Sequence, residues 1–421
     1  MPMIAGNLLQ QVYNLVDTLI VGKCIGANAL AAVGASYTLM IFITSIIIGL
    51  CMGSGAFFSV DYGAGEQAKL QQDIWFSFWF ILAVTLGLYL LVYPGMKFIL
   101  KLLQIPQELM KMTQEYVASV LAGIIFVFLY NFFSYLLRAM GNSMMPLIFL
   151  GISAALNIIL DIWFVLGFKM GVSGAAWATV IAQALAGIGI TIYCTVKLPL
   201  LRCNFTHVNW NFDRMKEIIS NDVATGIQQS VMNFGILMIQ GLVNSFGATV
   251  MAAFAAAVKI DTIAYMPAQE FGNAYSLFVS QNYGAKKKER IQKATHLSIV
   301  TSAAFCMMIS ILIYIFAEKL MCIFIEEGEI EILAEGIRYL RIEGAAYVGI
   351  GILFLWYGYF RGIGKPRVSL ILTLISLGTR IVLSYALAPS TFFGVVAIWC
   401  SIPIGWVLAD IVGLVFYRRS S

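Results

Sequence analysis

The sequence predicts an all-α polytopic membrane protein whose twelve transmembrane helices form two six-helix lobes. Three observations lead to this fold class: the composition, the number of long apolar segments and an internal repeat. Of the 421 residues, 61% are hydrophobic and only 11% are charged, whereas soluble domains are roughly 45–50% apolar and about 25% charged. So few charges cannot cover a protein in water, which excludes a soluble enzyme, a disordered chain and a nucleic-acid-binding protein.

Twelve segments are long enough to cross a bilayer as helices, which takes about 20 mostly apolar residues each. Because their apolar runs are continuous and do not alternate with polar residues, an outer-membrane barrel is excluded. We number the segments 1 to 12 in chain order, and they cover residues 2–22, 32–60, 74–98, 116–137, 145–166, 171–195, 222–245, 250–282, 294–317, 339–360, 368–388 and 393–417.

Basic residues in the loops predict the orientation. The loops after even-numbered segments carry most of the Lys and Arg residues, including the cluster at 286–293, whereas an acidic run at 326–335 follows segment 9. Short loops rich in Lys and Arg remain cytoplasmic. We therefore expect a protein of the bacterial inner membrane with both termini on the cytoplasmic side. Arg138 and Arg361, which end segments 4 and 10, are expected to bond carbonyls and anionic lipid headgroups.

An internal repeat divides the chain into two halves. The sequence DYGAGEQAKLQQ at 61–72 returns as NYGAKKKERIQK at 282–293, an offset of 221 residues, and LRAMGN at 137–142 returns as FRGIGK at 360–365, an offset of 223. Because each copy has six helices, an even number, both copies have the same orientation and are related by a pseudo-two-fold axis along the membrane normal. Such parallel repeats favour a transporter over a channel or a structural protein.

The repeat also sets the expected domain boundaries. We expect an N-terminal lobe at residues 1–195, a cytoplasmic linker at 196–220 and a C-terminal lobe at 221–421.

Four polar residues of the first lobe are predicted to meet at one depth in the membrane. Asn157 and Asp161 are one turn apart on segment 5, Asp17 lies on segment 1 and Thr179 on segment 6. At about 1.5 Å per residue, all four fall in the outer half of the bilayer. This all-oxygen set suits a hard monovalent cation such as Na⁺, or a proton, because two neighbouring carboxylates resist joint ionisation. The alternative is a hydrogen-bonded network that only holds the helices together.

The second copy of the repeat serves as a control for this site. Its corresponding positions hold Met238, Arg380, Ser384 and Ile402. Since the oxygen set is missing there, the fold of the six-helix unit does not require it, and we assign the ion site to the N-terminal lobe alone.

A substrate cavity is predicted from the remaining polar residues inside the segments. Glu270 shares its depth with Arg380, so it either pairs with that residue or faces the cavity and attracts a cationic substrate. Asn14, Gln229 and Asn233 either line the same cavity or bond between helices.

Several motifs resemble those of the multidrug and toxic compound extrusion (MATE) family over essentially the whole chain. They are NLLQQVYNLVDTLIVGKCIGANALAAVG at 7–34, the YGA loops after segments 2 and 8, LRAMGN, NIILD at 157–161 and GVSGAAWAT at 171–179. The resemblance implies two six-helix lobes in a V shape and cation-coupled export of amphipathic, often cationic compounds. Asp17, Asn157, Asp161 and Thr179 match the cation and proton site of DinF-like and related bacterial members. The acids that NorM-like members use in their C-terminal lobe are not evident.

The functional expectation is therefore a Na⁺- or H⁺-coupled antiporter that exports drugs or toxic organic compounds by alternating access. Neither a nucleophile–base pair nor metal-ligand spacing is visible, so we expect no enzyme and no cofactor. The expected partners are small organic molecules and membrane lipid, without nucleic acid, and the expected oligomeric state is a monomer. A flippase for lipid-linked precursors is the alternative, although such proteins tend to place several basic residues in their cavity and only Arg380 lies deep in this sequence.

Overall fold

The computed structural model describes residues 2–102, 105–201, 211–326, 328–388 and 394–420. These residues form fourteen α-helices and no strand. The helices are α1 (Pro2–Cys24), α2 (Ala27–Ala64), α3 (Gln67–Leu102), α4 (Gln107–Ala122), α5 (Ile124–Ala139), α6 (Met144–Asp161), α7 (Gly171–Lys197), α8 (Phe212–Asn244), α9 (Ala248–Gly284), α10 (Lys288–Met321), α11 (Ile330–Gly344), α12 (Tyr347–Gly362), α13 (Pro366–Leu387) and α14 (Val395–Ser420).

Each of the twelve predicted segments is filled by one long helix or by one bent pair, and the predicted fold class is confirmed. Segment 4 consists of α4 and α5, which are bent by 45°, and segment 10 consists of α11 and α12, which are bent by 51°. Segment 5 is α6 continued by a π-helical stretch at Ile162–Gly167. The protein is therefore a multi-pass helical membrane protein.

Two of the twelve predicted segments are filled by helices that are too polar to count as membrane spans by composition alone. Within the described ranges, eight helices are long and apolar enough to cross a membrane, or ten when each bent pair is counted as one span. The two that remain are α1, which carries Asp17 and several amide side chains, and α8, whose first turns are charged. Both helices carry polar side chains in the interior of the protein, where apolar surroundings make such groups energetically expensive.

A glycine marks the bend between α4 and α5. The amide of Gly123 donates to the carbonyl oxygen of Val120 over 3.0 Å. A Cβ atom on Gly123 would lie only 2.9 Å from Cγ2 of Val180, so the missing side chain lets α7 approach the bend.

The chain divides into two compact units, unit 1 at residues 1–226 and unit 2 at residues 227–421, with the division inside α8. Helix α8 begins at Phe212, within the stretch 196–220 that we expected to be a linker. The expected lobe boundaries stay a prediction.

Aromatic side chains form the core of each unit. In unit 1, Phe78 packs against Phe128 and Phe132 with ring centroids 5.3 Å and 5.4 Å apart, which joins α3 to α5. In unit 2, Trp399 stacks on Phe254 at 5.4 Å and meets Tyr339 edge-on at 4.9 Å, which joins α14 to α9 and α11. These aromatic contacts connect helices within each unit.

An ion-pair cluster fastens the start of α8 to α2 and α3 within unit 1. The guanidinium of Arg214 lies 2.7 Å from Asp73 and 3.0 Å from Asp61, and it stacks over the ring of Phe57 at 4.5 Å. Burial alone lowers the pKa of Arg214, but the carboxylates of Asp73 and Asp61 raise it above its ordinary value. The arginine therefore stays charged and holds the two acids.

Candidate ion-binding site

The structure brings the four predicted ion-site residues together in unit 1. Asp17 comes from α1, Asn157 and Asp161 from α6, and Thr179 from α7, and these three helices pack on one another. The amide Nδ2 of Asn157 donates to Oγ1 of Thr179 over 3.4 Å. The carboxyl groups of Asp17 and Asp161 are close enough to share a hydrogen bond when one of them is protonated.

Burial leaves most oxygens of this site without donors. Asp161 is 0% exposed, Asn157 is 2% exposed and Asp17 is 9% exposed. Four of their oxygen atoms have no hydrogen-bond partner: Oδ1 of Asp17, Oδ1 of Asn157 and both carboxylate oxygens of Asp161. Buried polar atoms normally have partners, so four unpaired acceptors at one point indicate a place where a proton or a cation binds.

No basic side chain neutralises the two acids. Among the described residues, no Lys or Arg forms an ion pair with Asp17 or Asp161. An isolated charge in a low-dielectric interior costs several kcal/mol or more, and two adjacent negative charges cost more still. A bound positive charge, such as a proton or Na⁺, would reduce this cost.

The helix that carries Asp161 changes its winding at that residue. Helix α6 ends at Asp161 and a π-helical stretch runs from Ile162 to Gly167. Single π-turns interrupt the regular hydrogen bonding of a helix and are frequent at functional sites. No pattern in the sequence predicts this change, because the segment is uniformly apolar.

Tyrosines surround the acid pair and were missed by the sequence reasoning. Tyr13 on α1 and Tyr116 on α4 both lie within electrostatic reach of Asp17 and Asp161, and Tyr116 is buried. Tyr116 could have been noticed from the repeat, since it aligns with Tyr339 at the offset of 223 residues.

Glu270 and Arg380 do not pair. Glu270 is buried and accepts a hydrogen bond of 3.1 Å from Asn273. In the part of the chain that the structure describes, Arg380 makes no ion pair with Glu270. Its positive charge instead interacts electrostatically with the carboxylates of Asp261 and Glu343. Of the two sequence alternatives for Glu270, pairing with Arg380 is therefore wrong.

A small polar cavity in unit 2 includes one of the predicted substrate residues. Its walls include Gln228, Gln229, Gln269, Asn273 and Arg361, and its volume of about 10 Å³ has room for about one water molecule. Asn233 on α8 and Asn14 on α1 are each half-buried in their own units. These two residues therefore belong to different units.

Arg361 is a structural residue of unit 2 and not a surface contact for lipid headgroups. It is only 4% exposed, and it donates 3.0 Å hydrogen bonds to Oγ of Ser276 and to Oδ1 of Asn273. The expectation of headgroup binding is wrong for Arg361, because α12 packs its last turn against α9 and does not reach the surface there.

The architecture and the acid pair together define a class of protein. A multi-pass helical protein built from two copies of one unit, with a pair of buried acids inside one copy, has the architecture of a transporter. A sequence model of the MatE family matches residues 2–163 and again residues 224–386. The chain belongs to this family, whose members are transporters and not enzymes, and the two matches coincide with the predicted internal repeat.

Curated relatives carry names of the same kind. The chain is 28% identical to the probable multidrug resistance protein YpnP of Bacillus subtilis, over 99% of this chain and 93% of the relative. It is 25% identical to the probable multidrug resistance protein NorM of Thermotoga maritima, over 98% of this chain and 88% of that protein. The multidrug export protein MepA of Staphylococcus aureus is 23% identical over 89% of this chain and 82% of its own length.

Solved structures share the fold. A MATE protein crystallised in complex with MaL6 superposes with a TM-score of 0.93 at 23% identity, covering 100% of this chain and 94% of that one. An outward-facing multidrug resistance MATE family transporter of the MOP superfamily superposes with a TM-score of 0.92 at 23% identity, covering 100% and 93%. At this level of identity the likeness establishes the fold.

Proposed function

We propose that the protein exports amphipathic organic cations in exchange for H⁺ or Na⁺, and that Asp17 and Asp161 carry the coupling ion. The observation that carries the proposal is the cluster of four buried, donorless oxygens shared by Asp17, Asn157 and Asp161. A purely structural network would satisfy its own hydrogen bonds, whereas this one requires an additional positive charge.

The proposed mechanism exchanges one positive charge for another. When the ion binds from outside, it cancels one of the two negative charges of Asp17 and Asp161, which removes their mutual repulsion and lets α1 pack closely against α6 and α7. When the ion leaves to the cytoplasm, the two negative charges repel each other, and α1 shifts relative to α6. Because only one conformation of unit 1 retains the ion, the ion gradient biases the alternation between outward-open and inward-open states.

The substrate class follows from the relatives and from the residues available for contact. The names of YpnP, NorM and MepA all refer to multidrug resistance or export. We propose that Asn14 in unit 1 and Gln229, Asn233 and Glu270 in unit 2 contact substrate, with Glu270 selecting cationic compounds.

A lipid-linked precursor flippase is the weaker candidate. Such a protein needs uncompensated basic side chains for pyrophosphate, but Arg380 lies beside the carboxylates of Asp261 and Glu343. The guanidinium of Arg361 is likewise engaged by Ser276 and Asn273. An anionic headgroup would have to compete with these partners.

Dye efflux from proteoliposomes tests the proposal. The purified full-length protein is reconstituted with a fluorescent cationic dye inside, and a Na⁺ gradient and a pH gradient are imposed in separate experiments. Wild-type protein should export dye under at least one of the two gradients, and the Asp17→Asn and Asp161→Asn variants should lose the gradient-dependent part. Asp213→Asn is the matched control, because Asp213 is exposed at the start of α8 and should leave efflux unchanged.

Two results would overturn the proposal. One is gradient-driven efflux at the wild-type rate in Asp17→Asn or Asp161→Asn. The other is dye efflux by the wild-type protein that is the same with and without either gradient.

A further inference from the structure

The contact between α2 and α8 in unit 1 encloses a buried acid that the proposed function does not use. Asp222, in the first turns of α8, is 0% exposed. The hydroxyl of Ser54 on α2 donates to Oδ2 of Asp222 over 2.5 Å, while Oδ1 is buried with no hydrogen-bond partner. Burying a charged group is expensive unless it is paired and its hydrogen bonds are made, so one neutral donor is poor compensation for a carboxylate.

No positive charge compensates Asp222. Among the described residues no Lys or Arg forms an ion pair with it, and Arg214, the basic residue at the start of the same helix, is bound to Asp61 and Asp73. The titratable groups that interact with Asp222 are Asp73 on α3 and Cys51 on α2. Neither an acid nor a thiol can neutralise a carboxylate. These surroundings therefore favour the protonated, neutral form of Asp222.

Two glycines of α2 allow α8 to approach this closely. A Cβ atom on Gly53 would lie 2.6 Å from Oδ1 of Asp222, and a Cβ atom on Gly49 would lie 2.6 Å from Cα of Gly226. The carboxyl group of Asp222 thus fills the space that a side chain at residue 53 would take. Because the two helices touch here through their backbones, the acid is shielded from water as long as the contact persists.

The internal repeat shows that the six-helix unit does not require this glycine face. At the offset of 221 residues, Gly49 corresponds to Glu270 and Gly53 to Ala274. Helix α9 therefore has larger side chains at the two positions where α2 has glycine. Since the unit also folds with those side chains, the glycines of α2 serve the contact with α8 that contains Asp222.

We propose that Asp222 binds an exchangeable proton and that its neutral form holds the first turns of α8 against α2. With the proton bound, Asp222 and Ser54 share a hydrogen bond in a contact without water. When the proton is lost to water, the carboxylate gains a charge that only water can solvate there, and the first turns of α8 separate from α2.

The position of α8 matters beyond this contact because the helix continues from unit 1 into unit 2. Gln229 lies two turns after Asp222 on the same helix and Asn233 lies one turn further. A proton on Asp222 therefore also fixes the part of α8 that carries these two residues. This consequence for substrate contacts rests on the proposed function, whereas the proton-dependent contact of α8 with α2 does not.

Alkylation of Cys51 tests the inference on the full-length protein in lipid nanodiscs. Cys51 is 1% exposed and lies within electrostatic reach of Asp222, so it should become accessible when α8 leaves α2. N-Ethylmaleimide is added at about pH 6 to about pH 8, where thiols are mostly protonated and ionisation changes their rates alike. Peptide mass spectrometry then gives the modification of Cys51 relative to that of the exposed Cys24.

The ratio of Cys51 to Cys24 modification should rise with pH in the wild type, by up to about tenfold per pH unit for the loss of one proton. In Asp222→Asn the ratio should stay at its low value throughout, because the amide is neutral at every pH and keeps the shape of the acid. Asp213→Asn is the control on the same helix, since Asp213 is exposed, and it should follow the wild type.

The Ser54→Ala variant tests the hydrogen bond separately from the proton. It removes only the hydroxyl that bonds Asp222, so the contact should open more readily and the ratio at the lowest pH should be about fivefold higher than in the wild type. Since the substitution deletes one atom from α2, the fold is retained, and this can be verified by circular dichroism.

The inference fails if the ratio is independent of pH in the wild type, or if it rises equally in Asp222→Asn. A ratio in Ser54→Ala that equals the wild-type ratio at every pH would also contradict it, because packing alone would then hold α8. None of these outcomes depends on transport, so each leaves the proposed function to be judged by dye efflux alone.

Discussion

The burial of Asp161 lowers the stability of the folded protein. Its carboxylate is fully buried and neither oxygen has a hydrogen-bond partner, while the carboxyl group of Asp17 lies beside it. A buried polar group without a partner costs about 1–3 kcal/mol, and more when it is charged. The protein therefore gives up stability at the position where the coupling ion is proposed to bind.

Replacing this acid should raise stability while abolishing coupled transport. Without Na⁺ at alkaline pH, Asp161→Asn should raise the midpoint of thermal unfolding by a few degrees, because the amide removes the repulsion with Asp17 and offers a donor. Adding the coupling ion should reduce the difference in unfolding midpoint between Asp161→Asn and the wild type, since the ion stabilises only the wild type. Asp213→Asn should unfold like the wild type. A lower midpoint for Asp161→Asn would show that the acid is a structural residue.

At the scale of residues, the sequence alone located the acid pair of unit 1 but did not single out the buried Glu343 of unit 2. Asp17 and Asp161 were identifiable because each interrupts a long apolar segment. Segment 10 was predicted to begin at residue 339, only four residues before Glu343, whereas α11 begins at Ile330. The stretch from 330 to 338 is amphipathic and charged, so its apolar content is too low to extend the predicted segment.

Helices α9 and α12 depend on glycine for their close approach. A Cβ atom on Gly272 would lie 2.7 Å from the carbonyl oxygen of Phe354. Small residues at such contacts let helix backbones pack in direct contact within a membrane.

Gly272→Ala should therefore destabilise unit 2. The added methyl group must push α12 away, at a cost of about 1–3 kcal/mol, which thermal unfolding in detergent should show as a lower midpoint. Gly87→Ala on α3 is the matched control, because a Cβ atom there meets nothing within 4 Å. That variant should be neutral or slightly more stable, and equal effects of the two substitutions would contradict the packing argument.

The start of α8 depends on charge instead of packing. Arg214 neutralises Asp61 and Asp73, whose side chains are 1% and 5% exposed. Arg214→Met should leave Asp73 without its cation and Asp61 with Lys69 alone, at a cost of about 3 kcal/mol, measured as a lower unfolding midpoint. Arg418→Met, at an exposed position near the end of α14, is the control. An unchanged midpoint in Arg214→Met would show that the cluster contributes nothing to stability.

At the scale of elements, the apolar pattern predicted where each span lies but not how it bends. Segments 4 and 10 read as uninterrupted apolar runs, yet each is a bent pair. At the Gly123 break, Val180 of another helix packs where a side chain would lie, and such tertiary contacts are invisible in a local pattern. The π-helical stretch after Asp161 escaped prediction for the same reason.

Across the whole molecule, the two copies of the six-helix unit carry different buried side chains. The MatE family matches each half of the chain once, which agrees with the repeat read from the YGA loops. The repeat preserves the fold but not the acids, since the position of Asp161 holds Ser384 in the second half, where its hydroxyl hydrogen-bonds Ser401 at 2.8 Å.

The orientation of the whole chain is a prediction from the basic loops. We expect green fluorescent protein fused after Ser421 to fluoresce and alkaline phosphatase fused there to be inactive, because both termini are predicted to be cytoplasmic. Phosphatase fused after Lys169, in the loop that follows segment 5, should be active. Active phosphatase at the C-terminus would reverse the predicted topology.

The obligatory exchange of ion for substrate is the central claim, and it is tested most directly in reverse. Proteoliposomes that contain the wild-type protein receive a gradient of cationic dye and no ion gradient, and the movement of H⁺ and of Na⁺ is recorded. We predict that dye flux in one direction drives one of these ions in the opposite direction, and that Asp17→Asn and Asp161→Asn abolish this ion movement. Dye flux without any ion movement in the wild type, or unchanged ion movement in these variants, would contradict the account.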